Sequence, residues 1–132
     1  MIATINTKKK IEAVGGTYSN GSVTTRLNFF GDFFVAVDTI TPEIKLINTV
    51  AENDYSNEEL IMFKVKDNLS GISRITGTID GKWALFEYDK KNDVVYYKFD
   101  SERLHKGKRH KLSLEVADAK GNVSSIDYWF YW

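Results

Sequence analysis

The sequence predicts an all-β sandwich of two antiparallel sheets, and three observations carry that prediction. Apolar and polar residues alternate in several short runs, most cleanly where Leu112, Leu114 and Val116 interleave with Lys111, Ser113 and Glu115. That is the period of two of a half-buried strand. Turn residues recur between the runs at the spacing of a sandwich built from short strands. Eight Phe, seven Tyr and three Trp make the chain 14% aromatic, which suits pleated surfaces, and no window keeps a helical period. Strands this short need a second face to enclose a core, and two sheets packed about 10 Å apart supply it. A small closed barrel is the alternative architecture.

In chain order, residues 1–21 are polar and Gly-rich. Ile2, Ile5, Ile11 and Val14 are their only aliphatic anchors, and Gly15-Gly16 and Ser19-Asn20-Gly21 read as breakers. One or two short strands are expected there. Val23, Thr25, Leu27 and Phe29 alternate with polar residues, and Gly31-Asp32 separates them from Phe33, Val35 and Val37, which reads as a hairpin. Pro42 removes a ladder donor and biases its neighbour towards extended geometry. A boundary is therefore placed here, between an N-terminal β segment (1–41) and a C-terminal unit (42–132).

In that unit, 43–50 is extended and 51–59 is a polar loop, with room at 56–59 for one helical turn at most. Ile61, Phe63 and Val65 alternate with Met62, Lys64 and Lys66 before Asp67-Asn68-Leu69-Ser70-Gly71 stops the strand. Ile72 to Ile79 runs into Asp80-Gly81, the dipeptide of a type I′ hairpin, which makes Trp83 to Tyr88 the return strand. Val95, Tyr97 and Phe99 follow a turn at 90–93, and a basic connection at 101–109 leads into the strand opened by His110. Asp118-Ala119-Lys120-Gly121-Asn122 ends that strand with residues that bond locally or accept positive φ. Val123 to Trp132 runs back beside it, giving seven strand candidates from Pro42 onwards. Ile61, Phe63, Val65, Val95, Tyr97, Phe99, Leu112, Leu114 and Val116 are the predicted inward set.

A chain of 132 residues has the size of one domain and hides roughly two thirds of its surface on folding. Lys plus Arg equals Asp plus Glu at 18 each, so no global field attracts nucleic acid or an anionic membrane. No apolar run reaches the length of a membrane span. Cysteine is absent, which removes disulfides, Cys-ligated zinc and thiol catalysis. Met1 leads directly into strand-like sequence, as expected of a start placed inside a longer protein.

Several motifs occur together: Asp38-x-x-x-Pro42-x-Ile44, Asp67-Asn68-Leu69-Ser70-Gly71-Ile72, Ile79-Asp80-Gly81-Lys82-Trp83, Glu87-Tyr88-Asp89, Gly107-Lys108-Arg109-His110 and Asp118-x-x-Gly121-Asn122. As a set, over residues 31–132, they resemble a bacterial immunoglobulin-like module, most of all the C-terminal module attached to lysostaphin-type zinc peptidases of the Gram-negative cell envelope. The resemblance implies an immunoglobulin-like antiparallel β-sandwich and a periplasmic or extracellular location. It also implies a non-catalytic accessory or interaction role, with residues 1 to about 40 as the last strands of a preceding β-module. The partners implied are other domains of the parent protein and a glycan or envelope protein. The Cys…Trp…Cys pin of antibody domains is missing. So is the peptidases' metal set, since His105 and His110 are the only histidines and do not make its spacing.

The residues themselves suggest no catalytic site, and neither metal nor cofactor is expected. His110 opens a strand where its ring can bond a loop carbonyl. Asp67 and Asp118 sit at loop ends, where hard-cation sites gather carboxylates, yet each suits the capping of its own turn. Asp80, Glu87, Asp89 and Asp93 are ordinary turn acids, and Ser70 and Ser73 have no histidine in a recognisable motif. Lys8-Lys9-Lys10 and Lys106, Lys108 and Arg109 are basic clusters without the fold signature of a nucleic-acid binder. Binding residues are sought among the aromatics. If Ile126, Tyr128, Phe130 and Trp132 face inwards, Trp129 and Tyr131 face out. Trp83 and Tyr96 occupy similar positions. Outward aromatics stack on sugars or anchor proteins, so a carbohydrate-binding module is the alternative function.

Overall fold

The computed structural model describes residues 1–132. Eight strands follow Pro42: β6 (Glu43–Leu46), β7 (Leu60–Lys66), β8 (Ile72–Ile79), β9 (Lys82–Ala84), β10 (Glu87–Asp89), β11 (Val94–Lys98), β12 (Arg109–Asp118) and β13 (Val123–Tyr131). They form two four-stranded antiparallel sheets, in the orders β10-β11-β7-β6 and β13-β12-β8-β9. These orders match the ABED and GFCC′ sheets of an immunoglobulin-like β-sandwich.

Period-two alternation positions the core. Ile61, Phe63, Val65 and Val95 from one sheet and Leu112, Leu114 and Val116 from the other are buried completely, Tyr97 nearly so, and Phe99 packs against them half-buried. Each such side chain contributes roughly 1.5–3 kcal/mol through burial. Rings close the far end of the core, where Phe99 stacks on Trp132 at 5.2 Å and meets Phe130 and Tyr97. Tyr55, from the loop before β7, is sealed beneath them and donates its hydroxyl to the Asn48 carbonyl at 2.9 Å.

The Asp80-Gly81 hairpin forms as predicted, with φ of 54° and 77° at its two central residues. The expected return strand from Trp83 to Tyr88 is two strands instead. β9 pairs with β8, the chain crosses at Leu85-Phe86, and β10 pairs with β11 in the opposite sheet. The crossing is tight because the Phe86 ring lies on the bare Cα of Gly77, where an added Cβ would come within 2.1 Å of it. The single 3₁₀ turn is at Ala51–Asn53, earlier than the expected 56–59.

Residues 1–41 hold more strand than predicted: β1 (Ile2–Ile5), β2 (Ile11–Gly15), β3 (Thr17–Ser19), β4 (Ser22–Thr24) and β5 (Phe33–Val35). One sheet has the order β2-β1-β5, and β3 and β4 form a separate hairpin. The expected pairing of Val23–Phe29 with Phe33–Val37 does not occur. Val23 is taken by Tyr18 across Asn20-Gly21, whose φ values of 49° and 80° make it a type I′ turn, and β5 pairs with β1. Asn20-Gly21 is a hairpin signal and not merely a breaker. No strand before Pro42 pairs with a strand after it.

Candidate functional site

The terminal strand β13 does present Trp129 and Tyr131 outwards, at 49% and 40% exposure, while Phe130 and Trp132 are buried behind them. With Glu52, Asn53, Asp54 and Arg109 they line a groove of about 370 Å³. None of its lining residues comes from 1–41. The Trp129 ring is not bare, because Arg109 and Lys111 of the neighbouring strand lie over it at 5.3 and 5.9 Å. Lys111 also pairs with Asp127, whose carboxyl is held below the usual range mainly by the Ser113 hydroxyl and by Lys111 itself. Trp83 shares this sheet face but stands on β9, at the opposite edge, three strand spacings or about 14 Å away. Tyr96 lies on the other sheet, opposite Glu87 and Met62. The charge of Glu87 is the first cause of its raised phenol pKa. The four aromatics therefore do not form one platform.

A larger cleft of about 620 Å³ opens beside the β8–β9 turn, between Trp83, Leu85 and Glu87 on one side and Asp100, Arg103, His105 and Lys108 on the other. His110 borders it but is fully buried. Its Nε2 is 2.7 Å from the His105 carbonyl and its Nδ1 is 2.6 Å from Asp80 Oδ2. Both ring nitrogens are therefore engaged within the protein, and neither is left free to meet a substrate in the cleft. Burial, the largest influence on Asp80, raises its pKa. It is outweighed by the His110 hydrogen bond and the Lys111 N–H, and the carboxyl ends below its usual range. Glu87 shares the cleft whereas Asp89 and Asp93 lie outside it, so the four turn acids are not assembled.

At the opposite end of the sandwich, three loops converge. Asp67 Oδ2 accepts the Leu69 and Gly71 N–H groups, and Asp118 Oδ1 accepts those of Lys120 and Asn122. Both thus cap their turns as the sequence suggests. Asp38, from the segment that joins the N-terminal sheet to the sandwich, completes the group: its Oδ2 accepts the Ser70 N–H, and its carbonyl accepts the Asn122 amide. One carboxylate oxygen from each aspartate lies within 4.8 Å of the other two. This convergence was beyond sequence reasoning, although each residue stands in a motif that carried the resemblance.

Residues 1–41 carry a different kind of surface. Ala3 is their one buried apolar residue, while Ile5, Ile11, Tyr18, Phe30, Val35 and Val37 are among those left in solvent.

No protein-family model matches this chain, and no curated protein sequence matches it.

Proposed function

We propose that this chain is a non-catalytic interaction module of a bacterial cell-envelope protein, acting through contact with other domains of its parent. The observation that carries the reading is the apolar surface of residues 1–41. Soluble domains rarely leave large apolar side chains uncovered in such density, and surfaces of this kind mark protein contacts. Phe30 is fully exposed, and Val35 and Val37 are more than half exposed. The link to a peptidoglycan peptidase rests on the resemblance of the motifs alone.

The carbohydrate-binding alternative is less well supported, because the cations over Trp129 occupy space a sugar ring would need. Hydrogen exchange tests the proposal by comparing the isolated chain with the intact parent protein. Amides of the edge strands Ile11–Gly15 and Phe33–Val35 should exchange readily in the first and be protected in the second. Equal protection in both would refute it. Titration with soluble peptidoglycan fragments should leave the Trp129 indole resonance unmoved, and a saturable shift there would restore the carbohydrate reading.

A further inference from the structure

We propose that Asp38, Asp67 and Asp118 hold a hard divalent cation, calcium by preference, which ties the segment entering the sandwich to two of its end loops. The first observation is the gathering of the carboxylates. Asp38 and Asp118 are 6% and 2% exposed, and no lysine or arginine forms an ion pair with any of the three. Three like charges in such a setting repel unless a cation or a proton intervenes.

The second observation concerns single atoms. Five of the six carboxylate oxygens accept a hydrogen bond. The sixth, Asp67 Oδ1, is sealed from solvent and has no donor, and so is the hydroxyl oxygen of Ser70, whose N–H bonds Asp38. A buried carboxylate oxygen without a partner is costly. A cation would satisfy it. The turns use N–H donors, which leaves lone pairs on the same oxygens free to coordinate.

Donor chemistry selects the ion. Every candidate ligand is oxygen, with neither imidazole nor thiolate in the group, so zinc is disfavoured and calcium or magnesium favoured. Oxygens on opposite sides of a calcium ion lie about 4.6–5.2 Å apart, and about 4.0–4.2 Å apart around magnesium. The three aspartate oxygens all lie within 4.8 Å of one another, which either shell can span. Calcium is preferred because its larger, more flexible coordination tolerates carboxylates already committed to turn N–H groups. This proposal departs from the sequence expectation, which assigns Asp67 and Asp118 to turn capping and expects no metal. Because Asp38 precedes the first strand of the sandwich while Asp67 and Asp118 follow β7 and end β12, an ion here fixes the linker to the loops.

The test uses the full chain stripped with EDTA. Calorimetric titration with CaCl₂ should show one site half-saturated below about 1 mM, and saturation should raise Tm by about 5 °C. MgCl₂ at equal concentration should raise it less. Asp67→Asn separates binding from folding, since the amide oxygen can accept from Leu69 and Gly71 while the NH₂ replaces the orphan oxygen. In EDTA this variant should melt at or above the wild-type temperature, and it should bind calcium at least tenfold more weakly. A wild-type chain with neither heat nor Tm shift up to about 10 mM CaCl₂ would overturn the proposal. So would Asp67→Asn responding to calcium as the wild type does, and an equal response to magnesium would overturn the choice of calcium.

Discussion

Replacing Asp80 with Asn isolates the contact between the β8–β9 turn and the buried imidazole. Position 80 has φ of 54°, and Asn-Gly suits a type I′ turn at least as well as Asp-Gly, so the hairpin should persist. The loss is electrostatic. The wild-type carboxylate meets His110 Nδ1 through Oδ2 at 2.6 Å and accepts the Lys111 N–H through Oδ1 at 2.9 Å, and the amide keeps an acceptor oxygen on only one of these two sides. A hydrogen bond involving a charged group contributes about 1.5–3 kcal/mol. The Asp80 side chain is 41% exposed, and solvent screening lowers the expected loss to about 1–2 kcal/mol.

Urea denaturation at pH 7 should therefore show a lower midpoint with an unchanged m value. The pH dependence has a definite sign. The folded-state pKa of Asp80 lies below its ordinary value of 3.8, so its contribution is complete above that value and is lost as pH falls through the folded pKa. The gap between wild type and variant should be full at pH 7 and should shrink as pH falls below 3.8. An unchanged midpoint at pH 7, or a gap that persists undiminished in acid, would refute the reasoning.

Two further substitutions test the packing. Gly77→Ala should cost about 1–3 kcal/mol in urea denaturation, because the new Cβ displaces the Phe86 ring from the sheet crossing. A neutral result would mean that the crossing is loose. Tyr55→Phe should cost about 1–2 kcal/mol, since the Asn48 carbonyl loses its donor in a place water cannot readily reach. Proton exchange at Asn48 and its neighbours should rise with it.

What the sequence made legible is what depends on local pattern. Period two along 61–66 and 111–116 correctly separates buried from exposed faces, and Asp80-Gly81 correctly places a hairpin, because both signals act between near neighbours. The splitting of 83–88 was illegible for the opposite reason. Nothing in Leu85-Phe86 announces a crossing, which depends on Gly77 of another strand leaving room for a ring. The same limit governs the acidic cluster. Asp67 and Asp118 each look like, and are, turn caps, and only their approach to Asp38 gives them a second use. Trp129 and Tyr131 were placed on the right face by counting, whereas the cations over Trp129 come from the neighbouring strand through a register the sequence does not state.

Strand β12 connects the two ends of the sandwich, with buried His110 near its start and buried Asp118 at its last position. Eight residue steps at about 3.4 Å put the two some 27 Å apart. At one end an imidazole is held by Asp80 and a loop carbonyl, and at the other an aspartate is held by its own turn beside two further carboxylates. The groups share no partner, and the core between them is apolar. Electrostatic coupling across that distance is weak in salt. The double variant Asp80→Asn with Asp67→Asn, measured in EDTA, should therefore show the sum of the single effects to within about 0.5 kcal/mol. A larger coupling would mean that β12 transmits strain from one end to the other. Calcium at the aspartates would then alter the setting of His110, and the cleft beside it would no longer be independent of the linker that carries Asp38.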